Sequence, residues 1–155
     1  MDTTWIVSAD AGRARFFAES NPAKPLADIE DMVNTDVRLR DSEINTDAGG
    51  ILAAGKSPHS TGGALPNSQY QPATTPEQHS AELFARDISS FLLQAQREGK
   101  FQKLALVAAP KFLGVLRQEL DSQLKNLVSV EINKDYTHSN AKELQEQMKA
   151  HQAQQ

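Results

Sequence analysis

The chain has 155 residues, of which 39% are hydrophobic, and this size fits one packed domain rather than two. Its net charge of -4 disfavours non-specific nucleic-acid binding, because such proteins usually carry a basic excess that displaces counterions from phosphate. The absence of cysteine excludes disulfides, thiolate zinc sites and cysteine nucleophiles, so the core must stabilise the fold without them.

The first part of the chain predicts three strands in an antiparallel meander. Residues 4–9 form an apolar run and residues 13–18 alternate as a strand does, with turn residues Asp10-Ala11-Gly12 between them. Residues 26–33 predict an exposed third strand, because their apolar side chains fall on one face.

Residues 34–75 predict one long flexible loop. This stretch is rich in Gly, Ser, Thr, Asn and Pro and has no sustained hydrophobic period. It therefore cannot bury enough apolar area to offset the entropy lost on ordering.

A helix is predicted to begin at Thr75, which has the residue type of an N-cap. Pro76 suits the first helical position and Gln78 is placed to close a capping box. Gly99 stands where a helix end favours a left-handed residue. The apolar positions that repeat at helical spacing are Phe84, Ile88, Phe91, Leu92 and Ala95.

Residues 104–109 are continuously apolar and predict a central strand covered on both faces. Pro110 is expected to end that strand and to begin a second helix. The second helix is marked by Phe112, Leu113, Leu116, Leu120 and Leu124.

The remaining chain predicts a strand at residues 127–132, a helix from Ser139 to about His151 and a frayed tail at residues 152–155. The predicted fold is thus α/β, with the order β-β-β-α-β-α-β-α, which matches a ribonuclease-H-like mixed sheet. Right-handed crossovers would make the last two strands parallel to the first, with helices on both faces of the sheet.

The most specific motif in the sequence is Gly50-Ile51-Leu52-Ala53-Ala54-Gly55-Lys56-Ser57, which satisfies the phosphate-loop pattern. Such a loop needs a buried strand before it and a helix after it. Here the preceding residues are polar and Ser57-Pro58 opposes a helix, so a plain Gly/Ala-rich loop is the favoured interpretation. Nucleotide binding through Gly50, Gly55, Lys56 and Ser57 stays as the alternative.

Carboxylates at the sheet centre could hold two metals, and Asp10, Glu82 and Asp87 are the candidates. Lys111 places a cation where a nuclease of this kind would supply another carboxylate, so no metal site and no cofactor are expected. Asp10 is more simply a turn residue whose carboxylate caps nearby amides. The spacing of the four histidines does not suit a helical metal pair, and the sequence contains no Gly-x-Ser-x-Gly elbow.

Ligands on open α/β sheets tend to bind at the carboxyl ends of parallel strands. We expect the polar residues at those ends to form one crevice, unless an ion pair and a helix N-cap built from Asp135, Thr137 and Ser139 account for them. The candidate crevice residues are Asp10, Arg13, Lys111, Lys134, Asp135, Thr137 and His138.

Several segments resemble the bacterial family of proteins required for attachment to host cells, and they cover nearly the whole chain in order. They are residues 5–17, residues 79–85, residues 109–117 and Lys134-Asp135-Tyr136-Thr137-His138. That family is similar to the middle domain of archaeal and eukaryotic class I release factors and Pelota, which implies a ribonuclease-H-like core.

The release-factor resemblance does not extend to peptide hydrolysis. In release factors a Gly-Gly-Gln tripeptide acts on peptidyl-tRNA, whereas here Gly62-Gly63 is followed by Ala64 and Gln78 follows Pro76-Glu77. The resemblance implies a non-catalytic binding module, with an RNA, ribosomal or protein partner and an indirect role in attachment. The alternative is a nucleotide or small-molecule binding protein or a hydrolase.

Localisation is predicted from the ends and the hydropathy of the sequence. An apolar run of bilayer length and an amino-terminal leader are both missing from the sequence, which predicts a cytoplasmic protein without membrane insertion. The oligomeric state does not follow from any of these patterns.

Overall fold

The protein is described from a computed structural model, and the described residues are 2–37 and 75–153. Its centre is a five-stranded sheet in the order β3-β2-β1-β4-β5. The strands are β1 (Thr4–Ala9), β2 (Arg13–Glu19), β3 (Ala27–Val33), β4 (Lys103–Ala108) and β5 (Val128–Ile132). The helices are α1 (Pro76–Arg97), α2 (Pro110–Glu119), α3 (Ser122–Lys125) and α4 (Ala141–Ala153).

The sheet is mixed, as the sequence predicts. β1 pairs antiparallel with β2 and parallel with β4, and β4 pairs parallel with β5. β3 lies antiparallel to β2 at an edge and is largely exposed. The predicted hairpin, the exposed third strand and the central parallel strand are therefore confirmed, whereas the likeness to ribonuclease H stays a prediction.

Two hydrophobic clusters cover the two faces of the sheet, because neighbouring residues of β1 point to opposite sides. Trp5, Val7 and Ala9 pack with the buried residues of α1, α2 and α3. Ile6 packs in the other cluster with Leu144 and Met148 of α4. The helices thus lie on both faces, as expected, and none in the described ranges is long and apolar enough to cross a bilayer.

The first helix begins and ends as its sequence predicts. Thr75 is the N-cap, and its hydroxyl oxygen accepts a 3.1 Å hydrogen bond from the Gln78 amide. Pro76 takes the first turn, where its missing N–H costs nothing. Gly99, just beyond the helix, has a φ of +74°, which a side chain with a Cβ rarely adopts.

The second helix is shorter than predicted. It ends at Glu119, Leu120 is extended, and Asp121 caps the separate four-residue helix α3 by accepting from the Gln123 amide. The Asp121 amide donates to the Ser89 hydroxyl of α1 at 2.9 Å. The prediction of one helix through Leu124 is therefore wrong, because a tertiary contact and a new cap break it while Leu120 and Leu124 keep helical spacing.

Two other boundaries also shift. The last helix begins after Asn140, which serves as its cap in place of Ser139, and it extends through Ala153 into the predicted tail. The predicted loop starts too early, because Asn34 is buried and residues 35–37 are helical. Most of that loop, including the phosphate-loop candidate, lies outside the described residues.

Candidate functional site

A cleft of about 590 Å³ opens at the carboxyl ends of the parallel strands β1 and β4. Its floor is the β1–β2 turn and the residue that follows β4, and its sides are the first turns of α1 and α2. We call it the strand-end cleft. Its polar lining residues are Asp10, Arg13, Glu77, Gln78 and Lys111. The topology thus brings together three of the predicted crevice residues, namely Asp10, Arg13 and Lys111.

The rest of the cleft wall is apolar. Phe112 and Ala81 are buried in the larger hydrophobic cluster, and Val115 packs against that cluster. Val37, which lies beside Gly12 of the β1–β2 turn, also lines the cleft. The helical periodicity identified Phe112 as core but not Ala81 or Val115, and it gave no signal that these positions line a cavity.

The two cationic side chains of the cleft, Arg13 and Lys111, differ in their partners within the protein. The Arg13 guanidinium donates two hydrogen bonds to the Asp31 carboxylate of β3, at 3.1 and 2.7 Å. This hydrogen bonding raises the pKa of Arg13 and lowers the pKa of Asp31. Lys111, in contrast, is exposed and forms no ion pair with any residue in the described ranges.

Asp10 is held by its neighbours. Its Oδ1 accepts from the amides of Gly12 and Arg13 at 2.8 and 2.9 Å, which closes the turn between β1 and β2. Its Oδ2 lies 3.3 Å from the hydroxyl oxygen of Thr137. The turn interpretation of Asp10 is therefore confirmed, and the carboxylate has a further contact that the sequence did not indicate.

The loop between β5 and α4, residues 133–140, does not join the cleft as one crevice. Lys134, Asp135 and His138 are exposed and line no part of the strand-end cleft. The loop is linked to the cleft through Asp10, which the Thr137 hydroxyl contacts.

Asp135 turns this loop locally. Its Oδ1 accepts from the Thr137 amide at 3.0 Å and from the Thr137 hydroxyl at 2.6 Å. Burial acts to raise the pKa of Asp135, but these two hydrogen bonds, the contact with Asp10 and the charge of His138 together lower it. Asp135 and Thr137 thus bond to each other within the loop, and Asn140, in place of the expected Asp135, Thr137 and Ser139, caps the helix.

Arg15 is a residue whose role the sequence did not reveal. Its guanidinium donates to the backbone carbonyls of Thr137 and Ser139 and lies 5.0 Å from the centre of the Phe17 ring. It therefore holds the β5–α4 loop against the sheet. Its place in an alternating strand gave no sign of a partner more than a hundred residues away.

A second cavity, of about 480 Å³, lies beside the amino-terminal half of α1. Asn34 and Ser80 both line this cavity, and the Asn34 side chain donates to the Ser80 hydroxyl at 3.1 Å. Asp87 and the 45% exposed Leu83 line this cavity, while Asp10 lines the strand-end cleft. Of the carboxylates considered for two metals, Asp10 and Asp87 thus line separate cavities, and Glu82 lines neither of the two.

Two comparisons with known proteins match this chain over different lengths. A family model described as "Protein required for attachment to host cells" matches residues 5–148. An uncharacterized protein of Rickettsia prowazekii (strain Madrid E) is 34% identical over 79 residues. That alignment covers 50% of this chain and 53% of the relative, so the chain spans about half the length of the curated relative it matches.

Proposed function

This chain belongs to the family of proteins required for attachment to host cells, and from that premise we propose that it acts as a ligand-binding module. The proposed ligand is a small molecule with an apolar body and a negatively charged group, held in the strand-end cleft. Its role in attachment is indirect and depends on whether the ligand is bound to the protein. The resemblance to the release-factor middle domain supports a ribonuclease-H-like core without peptide hydrolysis.

The observation that carries this proposal is the position of Lys111. Its ammonium group has no ion-pair partner in the described part of the chain, and Lys111 lines the same cleft as the apolar residues Ala81, Phe112 and Val115. A volume of about 590 Å³ suits one small organic molecule. Such a cleft favours a ligand that is apolar at one end and anionic at the other.

Binding rather than catalysis is favoured by how the neighbouring charged groups are used. Both oxygens of Asp10 lie within hydrogen-bonding distance of other groups of the protein. Glu77, the other carboxylate of the cleft, also interacts within the protein, and the Arg13 guanidinium is paired with Asp31. A general base needs a lone pair that can reach the substrate. Lys111 can attract an anion without any such proton transfer.

The first experiment titrates the full chain with 1-naphthyl phosphate and follows binding by calorimetry. Its two matched ligand controls are 1-naphthol, which lacks the anion, and inorganic phosphate, which lacks the rings. We expect 1-naphthyl phosphate to bind more tightly than either control, because the cleft offers both an apolar wall and a cation. Equal binding of all three compounds, or none, would contradict the proposed ligand class.

Lys111→Ala should weaken 1-naphthyl phosphate binding about fivefold, since a partly exposed ion pair contributes at most about 1 kcal/mol. Lys103→Ala is the matched control, because Lys103 is an exposed lysine at the opposite end of β4. The Lys103 variant should bind as the wild type does. An equal loss in both variants would assign the effect to overall charge, and no loss in the Lys111 variant would remove that residue from the site.

An RNA or ribosomal partner is the other module activity that the resemblance implies. Exposed Lys134 and His138 on the β5–α4 loop are the residues that would meet such a partner. Co-sedimentation with ribosomes that weakens with added salt would favour it over the small ligand. A nucleotide effect on thermal stability that is lost in Lys56→Ala would instead favour the Gly50 to Ser57 motif.

A further inference from the structure

Thr137 is the one fully buried residue of the β5–α4 loop, which the structure describes throughout. Thr137 is 0% exposed, whereas Lys134, Asp135 and His138 of the same loop are exposed. A hydroxyl removed from water must find hydrogen-bond partners inside the protein, and leaving it without them is costly. The partners of Thr137 therefore indicate what its burial achieves.

Those partners are two carboxylates, one from the same loop and one from the other end of the chain. The Thr137 hydroxyl donates to Asp135 Oδ1 at 2.6 Å and, more weakly, to Asp10 Oδ2 at 3.3 Å. Asp135 belongs to the same loop, so that contact shapes the loop itself. Asp10 is the first residue of the β1–β2 turn, so the second contact ties the loop to the sheet.

The contact with Asp10 reaches the strand-end cleft. The other oxygen of the Asp10 carboxylate holds the amides of Gly12 and Arg13. Asp10, Gly12 and Arg13 all line the cleft, whereas Thr137 does not. A hydroxyl on one side of the carboxylate thus limits how the turn on its other side can move.

Arg15 keeps the loop in place independently of the cleft. Its guanidinium binds the carbonyls of Thr137 and Ser139, and its plane lies over the Phe17 ring. The loop is therefore a fixed support for Asp10. This arrangement distinguishes it from a segment that is ordered only through the Asp10 contact.

We propose that Thr137 is a positioning residue for the strand-end cleft, whose buried hydroxyl fixes the Asp10 carboxylate and, through it, the cleft wall formed by the β1–β2 turn. This inference rests on the proposed function for its effect on ligand affinity. Its effect on the turn does not depend on any ligand. The exposed Lys134 and His138 do not line the cleft, but they belong to the loop that Thr137 connects to the cleft through Asp10.

The test compares Thr137→Val, which keeps the shape and removes the hydroxyl, with Thr137→Ser, which keeps the hydroxyl. Hydrogen exchange of the Gly12 and Arg13 amides is measured in the full chain without ligand. We expect Thr137→Val to raise both exchange rates about fivefold, as for the loss of one long, weak hydrogen bond, and Thr137→Ser to preserve the wild-type rates. Wild-type rates in Thr137→Val would overturn the proposal.

Ser89→Ala separates positioning from a general loss of stability. The buried Ser89 hydroxyl of α1 accepts from the amide of Asp121, the N-cap of α3. Removing this hydroxyl should therefore also destabilise the fold. It should leave the Gly12 and Arg13 exchange rates unchanged under native conditions. Faster exchange of these two amides in Ser89→Ala as well would show that Thr137 acts only through overall stability, and would overturn the proposal.

The ligand arm uses 1-naphthyl phosphate with the same three variants. Thr137→Val should bind it about threefold to fivefold more weakly, with Thr137→Ser and Ser89→Ala close to the wild type. If the wild type does not bind 1-naphthyl phosphate, the proposed ligand class fails and the exchange rates alone decide the role of Thr137. If it binds and Thr137→Val leaves the affinity unchanged, the positioning role fails.

Discussion

Asp135 is a residue whose charge is maintained by its immediate hydrogen bonds. Burial disfavours the carboxylate, but donation from the Thr137 hydroxyl and amide, with contributions from Asp10 and His138, lowers its pKa below the ordinary 3.8. The ionised form is therefore favoured more strongly in the folded chain than in the unfolded one. Such a group stabilises the fold above its unfolded pKa, and this stabilisation is lost as pH falls through the lower folded value.

Asp135→Asn should remove this acid-sensitive contribution while it keeps an oxygen that can accept from Thr137. We expect the difference in unfolding free energy between wild type and variant to shrink as pH is lowered from about 6 to about 3. Urea unfolding across that range measures it. In a Thr137→Val background the same substitution should show a weaker pH dependence, because the donor hydroxyl is gone. A constant difference at every pH would contradict this account.

At the scale of single residues, the sequence predicted those parts of the site that depend on topology. Asp10 and Lys111 follow parallel neighbouring strands, so the order of elements alone brings them to one edge of the sheet. Lys134 and His138 follow β5, yet they stay outside the cleft. Their placement depends on the contacts of Arg15 and Thr137, which join positions more than a hundred residues apart and leave no local pattern in the sequence.

At the scale of elements, both edge strands carry an irregularity. Phe16 pairs with Glu30 and Phe17 with Asp28, which leaves Ile29 of β3 between the pairs and 40% exposed. On the other edge the register of β5 skips Ser129. Bulges of this kind interrupt the row of free backbone groups that would otherwise pair with another sheet. Both edges are thus poor templates for association through added strands.

The capping of α4 gives a prediction at this scale. Asn140 accepts from the Glu143 amide at 2.8 Å, and the Glu143 carboxylate accepts from the Asn140 amide at 2.9 Å. Asn140→Ala should therefore lower the free energy of unfolding by about 1 kcal/mol, while Asn140→Asp keeps the cap and most of the stability. Chemical denaturation measures both. A loss as large in Asn140→Asp would show that the side-chain oxygen is not what matters.

The sequence predicted most of these elements because hydrophobic period and capping residues agree at their ends. It failed at Leu120, where the period continues although the helix stops. The break comes from the Asp121 cap and the Ser89 hydroxyl, of which the second is supplied by another helix. A local pattern contains no information about that partner.

At the scale of the whole molecule, one sheet serves two cores. Trp5 belongs to the core under α1 and α2, where it stacks on Phe101 with ring centres 5.0 Å apart. Leu144 of α4 is fully buried in the other core. β1 and β4 contribute residues to both cores. We therefore expect that unfolding either strand would disrupt both cores.

Leu144→Ala should thus destabilise the entire fold, by about 2 to 5 kcal/mol for a fully buried leucine. The chain has one tryptophan, so Trp5 fluorescence reports the opposite core selectively. We expect the fluorescence and far-ultraviolet circular dichroism transitions in urea to coincide and to shift together in the variant. A fluorescence transition that stays at its wild-type position would show that the two cores unfold separately.

The Asn34 side chain, which donates to the Ser80 hydroxyl, ties the described residues before position 38 to those after position 74. Both partners belong to the described part of the fold, so their contact holds the start of α1 near the end of β3. We expect that residues inserted or removed between positions 38 and 74 would leave this contact and the sheet in place. For a flexible connection, each doubling of length costs only about 0.6 kcal/mol in closure entropy.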